Sequence, residues 1–269
     1  MNTKRINIVC FVFVLCSSFS NTFSQESKFS SGFFAGENCM LTDTSSLWAM
    51  QTNPALLPFG KGTECGVAYS TNYMATDMVC TRINACARMK QLTTATSVVV
   101  YGNAYFRESY FDVYFARKLN GHNALGITCG ILRQYQEEYN SKTIVFPELA
   151  YYGEQGKLSY GIHLINPIRL FKSTSQVESI TKLQTCYRIN RYVSCCASIE
   201  KATDKNPSFS VGCAYSVKQF LHVSLAYSTH ETPLTLLLQF PLWRVRCYYE
   251  TAYNYYLGMN HSVGFSVKI

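Results

Sequence analysis

The sequence predicts an all-β fold, a transmembrane antiparallel β-barrel of about fourteen strands, and three observations carry that prediction. From residue 63 to residue 269, apolar side chains alternate with small or polar ones in segment after segment, with hardly a helix-period stretch among them. Charged residues make up only 15% of the chain, whereas aromatics reach 14%, 20 of them Tyr. A water-soluble domain usually carries about 25% charge, and amphipathic rings collect at membrane interfaces. Beyond the first 25 residues, no segment approaches the roughly 20 apolar residues of a membrane helix. A membrane location then requires a closed barrel, because open strand edges leave backbone groups unsatisfied in lipid.

In chain order, residues 1–24 read as a secretory signal. Lys4 and Arg5 supply the basic region, residues 6–15 (INIVCFVFVL) the apolar core, and Thr22-Phe23-Ser24 a small-x-small cleavage site. That core is short for a spanning helix. Neither Cys10 nor Cys16 follows a small residue as a lipid-attachment site needs. The expected organisation is a signal peptide over 1–24, an N-terminal segment over 25–62 and the barrel over 63–269, placed in a bacterial outer membrane. The formal charge is +8, or +6 once Lys4 and Arg5 leave with the signal. The basic residues do not cluster and no nucleic-acid module is visible. Anionic lipid headgroups are the simpler counterpart, so outer-membrane lipid is an expected partner and nucleic acid is not.

The stretch 40–60, MLTDTSSLWAMQTNPALLPFG, stands between the leader and the strands. Asp43 and Thr44 are good helix N-caps, and residues 45–51 make a short helix. Pro54 ends it, since the residue before a proline is pushed out of the helical region. The following residues 55–60 are apolar but too short to span anything.

Strands are expected at 63–74, 79–91, 95–104, 109–119, 123–138, 142–153, 157–166, 179–188, 191–202, 206–216, 219–229, 232–241, 243–253 and 260–269. The count is even, as single-chain bacterial barrels require. In the last strand Val263, Phe265, Val267 and Ile269 share one face, and Ser262, Gly264, Ser266 and Lys268 the other. By the same parity Leu125, Ile127, Cys129 and Ile131 oppose Gly126, Thr128, Gly130 and Leu132. An apolar-out, polar-in dyad of this kind is the pattern of a membrane barrel. Parity turns Arg82, Arg88, Asp112, Lys118, Lys182, Arg188, Glu200, Arg244, Arg246 and Glu250 into the lumen. There they either line a polar conduit or pair across a narrow interior and fill it.

No catalytic, cofactor or metal site is legible. His122, His163, His222, His230 and His261 have no metal-spaced partners. Serines are too many to single out a hydrolase triad. Of 12 Cys, Cys10 and Cys16 fall in the leader, and the other ten lie mostly inside strand-like runs without C-x-x-C spacing. They read as free thiols acting as small hydrophobes rather than as a disulfide framework.

Asp43 with Asn53-Pro54-Ala55-Leu56-Leu57 resembles the "D…N-P-A-[GL]-L" segment that tucks into the lumen of FadL-like outer-membrane barrels. Within that superfamily the chain is most similar to PorV/PorQ-type members. Phe111-Asp112-Val113-Tyr114-Phe115-Ala116-Arg117-Lys118-Leu119, a turn and Ala124-Leu125-Gly126-Ile127 resemble their "A-R-x-L, turn, L-G" hairpin. Gly161-Ile162-His163-Leu164-Ile165-Asn166 resembles their "G-x-x-[IL]-x-N" strand end. The final apolar strand, Val263 to Ile269, resembles the C-terminal signal read by the barrel-assembly machinery. The resemblance implies fourteen strands and a short helical plug in the lumen containing Trp48 and the N-P-A-L-L run. It also implies a non-enzymatic role as a component or scaffold of type IX secretion, with secretion subunits or cargo as partners. The alternative it implies is a FadL-like transporter of small hydrophobic molecules. In that case Phe33, Phe34, Leu47, Trp48, Met50, Leu56, Leu57 and Phe59 would line the ligand path; otherwise they only seal the lumen. An outer-membrane hydrolase is the least favoured reading.

Overall fold

Period-two alternation becomes, in the computed structural model, a closed antiparallel barrel. The structure describes residues 46–71, 79–89, 92–137, 139–170, 178–203, 205–217, 220–229, 234–254 and 258–269. Its strands are β1 (Glu64–Thr71), β2 (Val79–Arg88), β3 (Leu92–Gly102), β4 (Phe106–Lys118), β5 (Asn123–Gln136), β6 (Tyr139–Gln155) and β7 (Leu158–Ile165). They continue with β8 (Ile180–Arg188), β9 (Val193–Ala202), β10 (Ser208–Val217), β11 (Leu221–Ser228), β12 (Leu234–Leu242), β13 (Val245–Asn254) and β14 (Gly258–Lys268). Each pairs with its sequence neighbours, and β1 closes the ring on β14 from Glu64↔Lys268 to Thr71↔His261. No strand edge is left open, as lipid demands.

The two faces of the wall differ as the alternation requires. Val67, Tyr69, Ile83, Phe115, Ile127, Val211, Leu225 and Phe265 point outward and are exposed to the surrounding medium. Their neighbours in sequence, such as Ala68, Asn84, Ala116, Thr128 and Ser266, point into the lumen and are buried. Val263, Phe265, Val267 and Ile269 all lie on the outward face.

Call the near end the one where β1 begins and β14 stops. Near-end turns are short; those at 156–157 and 243–244 hold two residues each. The far end carries longer connections, including 166–179. Short turns at one end and longer loops at the other are usual in outer-membrane barrels, the short ones facing the periplasm.

The helical segment differs from the expected 45–51 helix. Residues Ala49–Thr52 form one α-turn, α1, and Pro54–Phe59 form a 3-10 helix directly after it. Asn53 sits between them in extended conformation, φ −161° and ψ 112°, which the following Pro54 enforces. Its backbone N–H still closes α1 on the Ala49 carbonyl at 2.9 Å. Pro54 at the first helical position then restarts the chain in a helical sense, because its missing N–H is not needed there.

Candidate functional site

The lumen is occupied at its near half by residues 46–60. Leu47, Trp48, Met50, Leu56 and Leu57 are each 0% exposed. Trp48 lies among Ala68, Cys80, Val99 and Leu237, and meets the Tyr248 ring edge-on at 5.9 Å. Leu47, Met50 and Leu57 pack on Cys86, Ala95, Tyr114 and Ala116. Ala49, Ala55 and Leu56 pack on Ala124, Ala150, Tyr152, Ala214 and Ala226. Small wall residues are what let this segment fit. A Cβ on Gly126 would stand 2.8 Å from the Ala55 nitrogen, and one on Gly66 2.8 Å from a Leu47 methyl.

A few polar contacts seat the plug. The Asn53 Oδ1 accepts the Ala55 N–H at 2.9 Å. Its Nδ2 donates to the Tyr151 and Ile162 carbonyls on β6 and β7, at 3.1 and 3.4 Å. Ser46 Oγ lies 3.3 Å from the Tyr248 hydroxyl and accepts the Trp48 N–H at 3.1 Å. Arg88, at the end of β2, is the strongest tie. Its Nε donates to the Leu57 carbonyl at 2.9 Å and its Nη1 to the Gly62 carbonyl at 3.3 Å. Nη1 also pairs with Glu64 Oε2 at 3.4 Å, both side chains being nearly buried. The other Glu64 oxygen accepts the Ser266 hydroxyl at 2.7 Å.

Beyond the plug, the lumen wall is layered. On β5 to β9, Leu132, Phe146, Ile165, Ile180 and Ala202 form an apolar cluster toward the far end. Two residues nearer on the same strands stand Gly130, Glu148, His163, Lys182 and Glu200. Glu148 Oε2 meets His163 Nε2 at 3.1 Å, and Lys182 Nζ meets Glu200 Oε2 at 2.9 Å. Gly130 is small because the Phe146 ring covers it. On the adjoining wall Arg82 has Tyr110, Asp112 and Tyr114 as its electrostatic neighbours, and the Tyr114 hydroxyl donates to Asp112 at 3.3 Å. Glu108 accepts from the Tyr110 hydroxyl at 3.2 Å and from Gln134 at 3.0 Å. Buried charges are tolerable only when paired and hydrogen-bonded, and this wall pairs Glu148, Lys182 and Glu200 in that way.

Trp48, Asn53, Pro54, Ala55, Leu56 and Leu57 are in the plug; Asp43, Phe33 and Phe34 lie outside the described residues, as does the leader. Arg82, Arg88, Asp112 and Glu200 are on the lumen side with the partners just given. Arg246 and Glu250 also face inward, register-paired with Ser266 and Ser262. Arg188 keeps the inward parity of Cys186 as the last residue of β8, half exposed at the near rim and 3.3 Å from Glu154. One position departs from the expectation. Arg244 is not in a strand at all: it sits in the 243–244 turn with its guanidinium 5.0 Å above the Trp243 ring. Strand parity does not continue through a turn. His222 meets Ser216 Oγ at 2.8 Å, His261 meets the Tyr249 hydroxyl at 2.9 Å, and His122 lies in a turn.

The reading of all cysteines as free is corrected by the register. Cys186 on β8 stands directly opposite Cys196 on β9, facing inward, and the two form a disulfide. Cys195 and Cys213, opposite each other on the outward face of β9 and β10, bring their sulfurs to 3.0 Å. Among the described residues no group of three His, Cys, Asp or Glu is placed to hold a metal ion. Glu64, Glu148, Tyr110 and the plug-facing glycines were not singled out from sequence. Parity on β6 would have turned Glu148 inward, but nothing in sequence marks Glu64 as the partner of Arg88.

The fold is similar to solved outer-membrane transporters. The toluene transporter TodX of Pseudomonas putida aligns with a TM-score of 0.60 at 10% identity, over 93% of this chain and all of that one. The monoaromatic hydrocarbon channel CymD gives 0.59 at 9% identity, over 83% and 93%. A FadL homologue from Pseudomonas aeruginosa gives 0.58 at 9% identity, over 83% and 94%. No protein-family model matches the sequence, and no curated protein does either. The likeness is therefore one of fold: a closed fourteen-stranded antiparallel barrel of FadL-like architecture.

Proposed function

We propose that this protein is a non-enzymatic outer-membrane channel for small hydrophobic molecules, gated by its plug. One observation carries the reading. The near half of the lumen is closed by an apolar segment whose Leu47, Trp48, Met50, Leu56 and Leu57 side chains are completely buried, seated on the wall by polar contacts that include Ser46, Asn53 and Arg88. Apolar surface seals well in the absence of solute, and an apolar solute can replace it with little loss, because hydrophobic contact is non-directional. The Leu132–Phe146–Ile165–Ile180 cluster supplies an apolar surface on the far side of the same lumen. The solved channels of similar fold carry toluene or monoaromatic hydrocarbons by their own descriptions, which supports the same class of solute here.

Uptake of toluene by cells producing the chain, against cells lacking it, tests the reading. Several-fold faster initial uptake is expected, and Arg88→Ala, which unties the plug, should raise it further. Equal uptake by both cell types, with the heat-modifiable band of a folded barrel present in the outer membrane, would overturn it. The scaffold role in type IX secretion that the PorV/PorQ resemblance implied gains no support from the structural relatives. Secretion subunits or cargo purifying with the barrel in mild detergent would restore that role; a retained apolar small molecule would speak for the channel.

A further inference from the structure

The near end of the barrel is basic. Among the described residues its connections carry Lys61, Lys157, Arg191 and Arg244 and no Asp or Glu, whereas the far-end connections balance Arg169 and Lys205 with Glu137 and Glu178. The acids on adjoining near-end strands do not offset this. Glu64 is buried against Arg88 and Ser266, and Glu154 is paired with Arg188.

Aromatic rings accompany these cations. Arg244 lies over Trp243 at 5.0 Å and Arg191 over Tyr192 at 4.6 Å. Trp243 is 94% exposed, and Phe220, just before β11, is exposed as well. The backbone at Trp243 is the most telling detail. Its φ is +54°, a conformation that bulky residues rarely adopt. The other two-residue near-end turn uses Gly156, φ +64°, at the same position, followed likewise by a cation, Lys157. Glycine is thus the residue this turn geometry favours. Trp243 holds the place against that preference while burying almost nothing in the protein.

We propose that the near end is a docking surface for anionic phospholipid headgroups, with the Trp243–Arg244 turn as its principal anchor. Indole rings settle at the membrane interface, and a guanidinium beside the ring meets the headgroup phosphate. Cations alone would suit an acidic protein equally; cations paired with outward rings, just past the lipid-facing Leu242 and Val267, suit a lipid surface. Short turns facing the periplasm turn this end to the inner leaflet, where phospholipid lies.

The test uses the full barrel in vesicles of equal phosphatidylcholine and phosphatidylglycerol, released gently and weighed by native mass spectrometry to count retained lipids. Phosphatidylglycerol should be retained preferentially, and added salt should weaken the preference. Arg244→Gln should lower it about fivefold, the worth of one interfacial cation. Trp243→Gly separates anchoring from structure: it relieves the backbone and keeps the turn, yet should lower phosphatidylglycerol retention while the heat-modifiable band persists. Equal retention of the two lipids by the unaltered barrel would overturn the proposal, and so would undiminished retention in Trp243→Gly. Release of phosphatidylglycerol by an acidic periplasmic polypeptide that itself holds this end would overturn it in favour of a protein partner.

Discussion

The same fourteen strands face two different media, and the two sides of the wall are built on different terms. Inward, side chains meet a fixed neighbour: Leu57 lies in the cluster with Cys86, Ala95, Tyr114 and Ala116, and Arg88 reaches three named acceptors. Outward, Leu125, Ile127, Val263 and Phe265 are exposed and meet no fixed neighbour; lipid against such a face has no shape of its own to match. The lumen therefore specifies size and partner, whereas the outer face specifies only apolarity. Substitutions should cost accordingly, and they can be ranked.

Arg88→Ala should cost most, about 3–5 kcal/mol, because it strands the Glu64 carboxylate in a buried position. Denaturant titration of the barrel in detergent reads this, and a loss under 1 kcal/mol would mean that Arg88 is not the tie it resembles. Leu57→Ala should cost about 2–5 kcal/mol, since the plug leaves a cavity. The matched outward change, Leu125→Ala, should cost well under that, because lipid fills the gap. Equal losses at the two leucines would erase the distinction between the faces. Phe265→Asp attacks the outer face in the one way it forbids, and should cost roughly 2 kcal/mol and suppress the heat-modifiable band. Asn53→Ala should be mildest, about 1–2 kcal/mol from a lost cap, with the plug more open to protease than the wall.

Much of the architecture was open to reading from sequence because a barrel repeats one local rule. Alternation located all fourteen strands to within three residues; β3, for instance, begins at Leu92 rather than 95, and β6 at Tyr139 rather than 142. Thr93 and Thr94 satisfy either a strand or a loop. The lumen was less legible, for a reason of geometry. Arg88 and Glu64 meet across a hairpin of unknown register, and Cys186 faces Cys196 only once β8 and β9 are aligned. Parity shows which way a residue points, not what it meets. It also ran past its domain at Arg244, where the strand gives way to a turn. The plug's 3-10 continuation was hidden by treating Pro54 as a stop, when the same proline also starts the next helical turn.

One carboxylate links parts of the molecule that form at opposite ends of synthesis. Glu64 accepts from Ser266 on the closing strand and pairs with Arg88, which in turn holds the Leu57 carbonyl of the plug. Ring closure between β1 and β14 waits for the last of the fourteen strands, whereas the plug precedes β1 by only a few residues. Sharing Glu64 makes those two events one cooperative unit. Amide protons of the seam and of the plug should therefore exchange together rather than in turn.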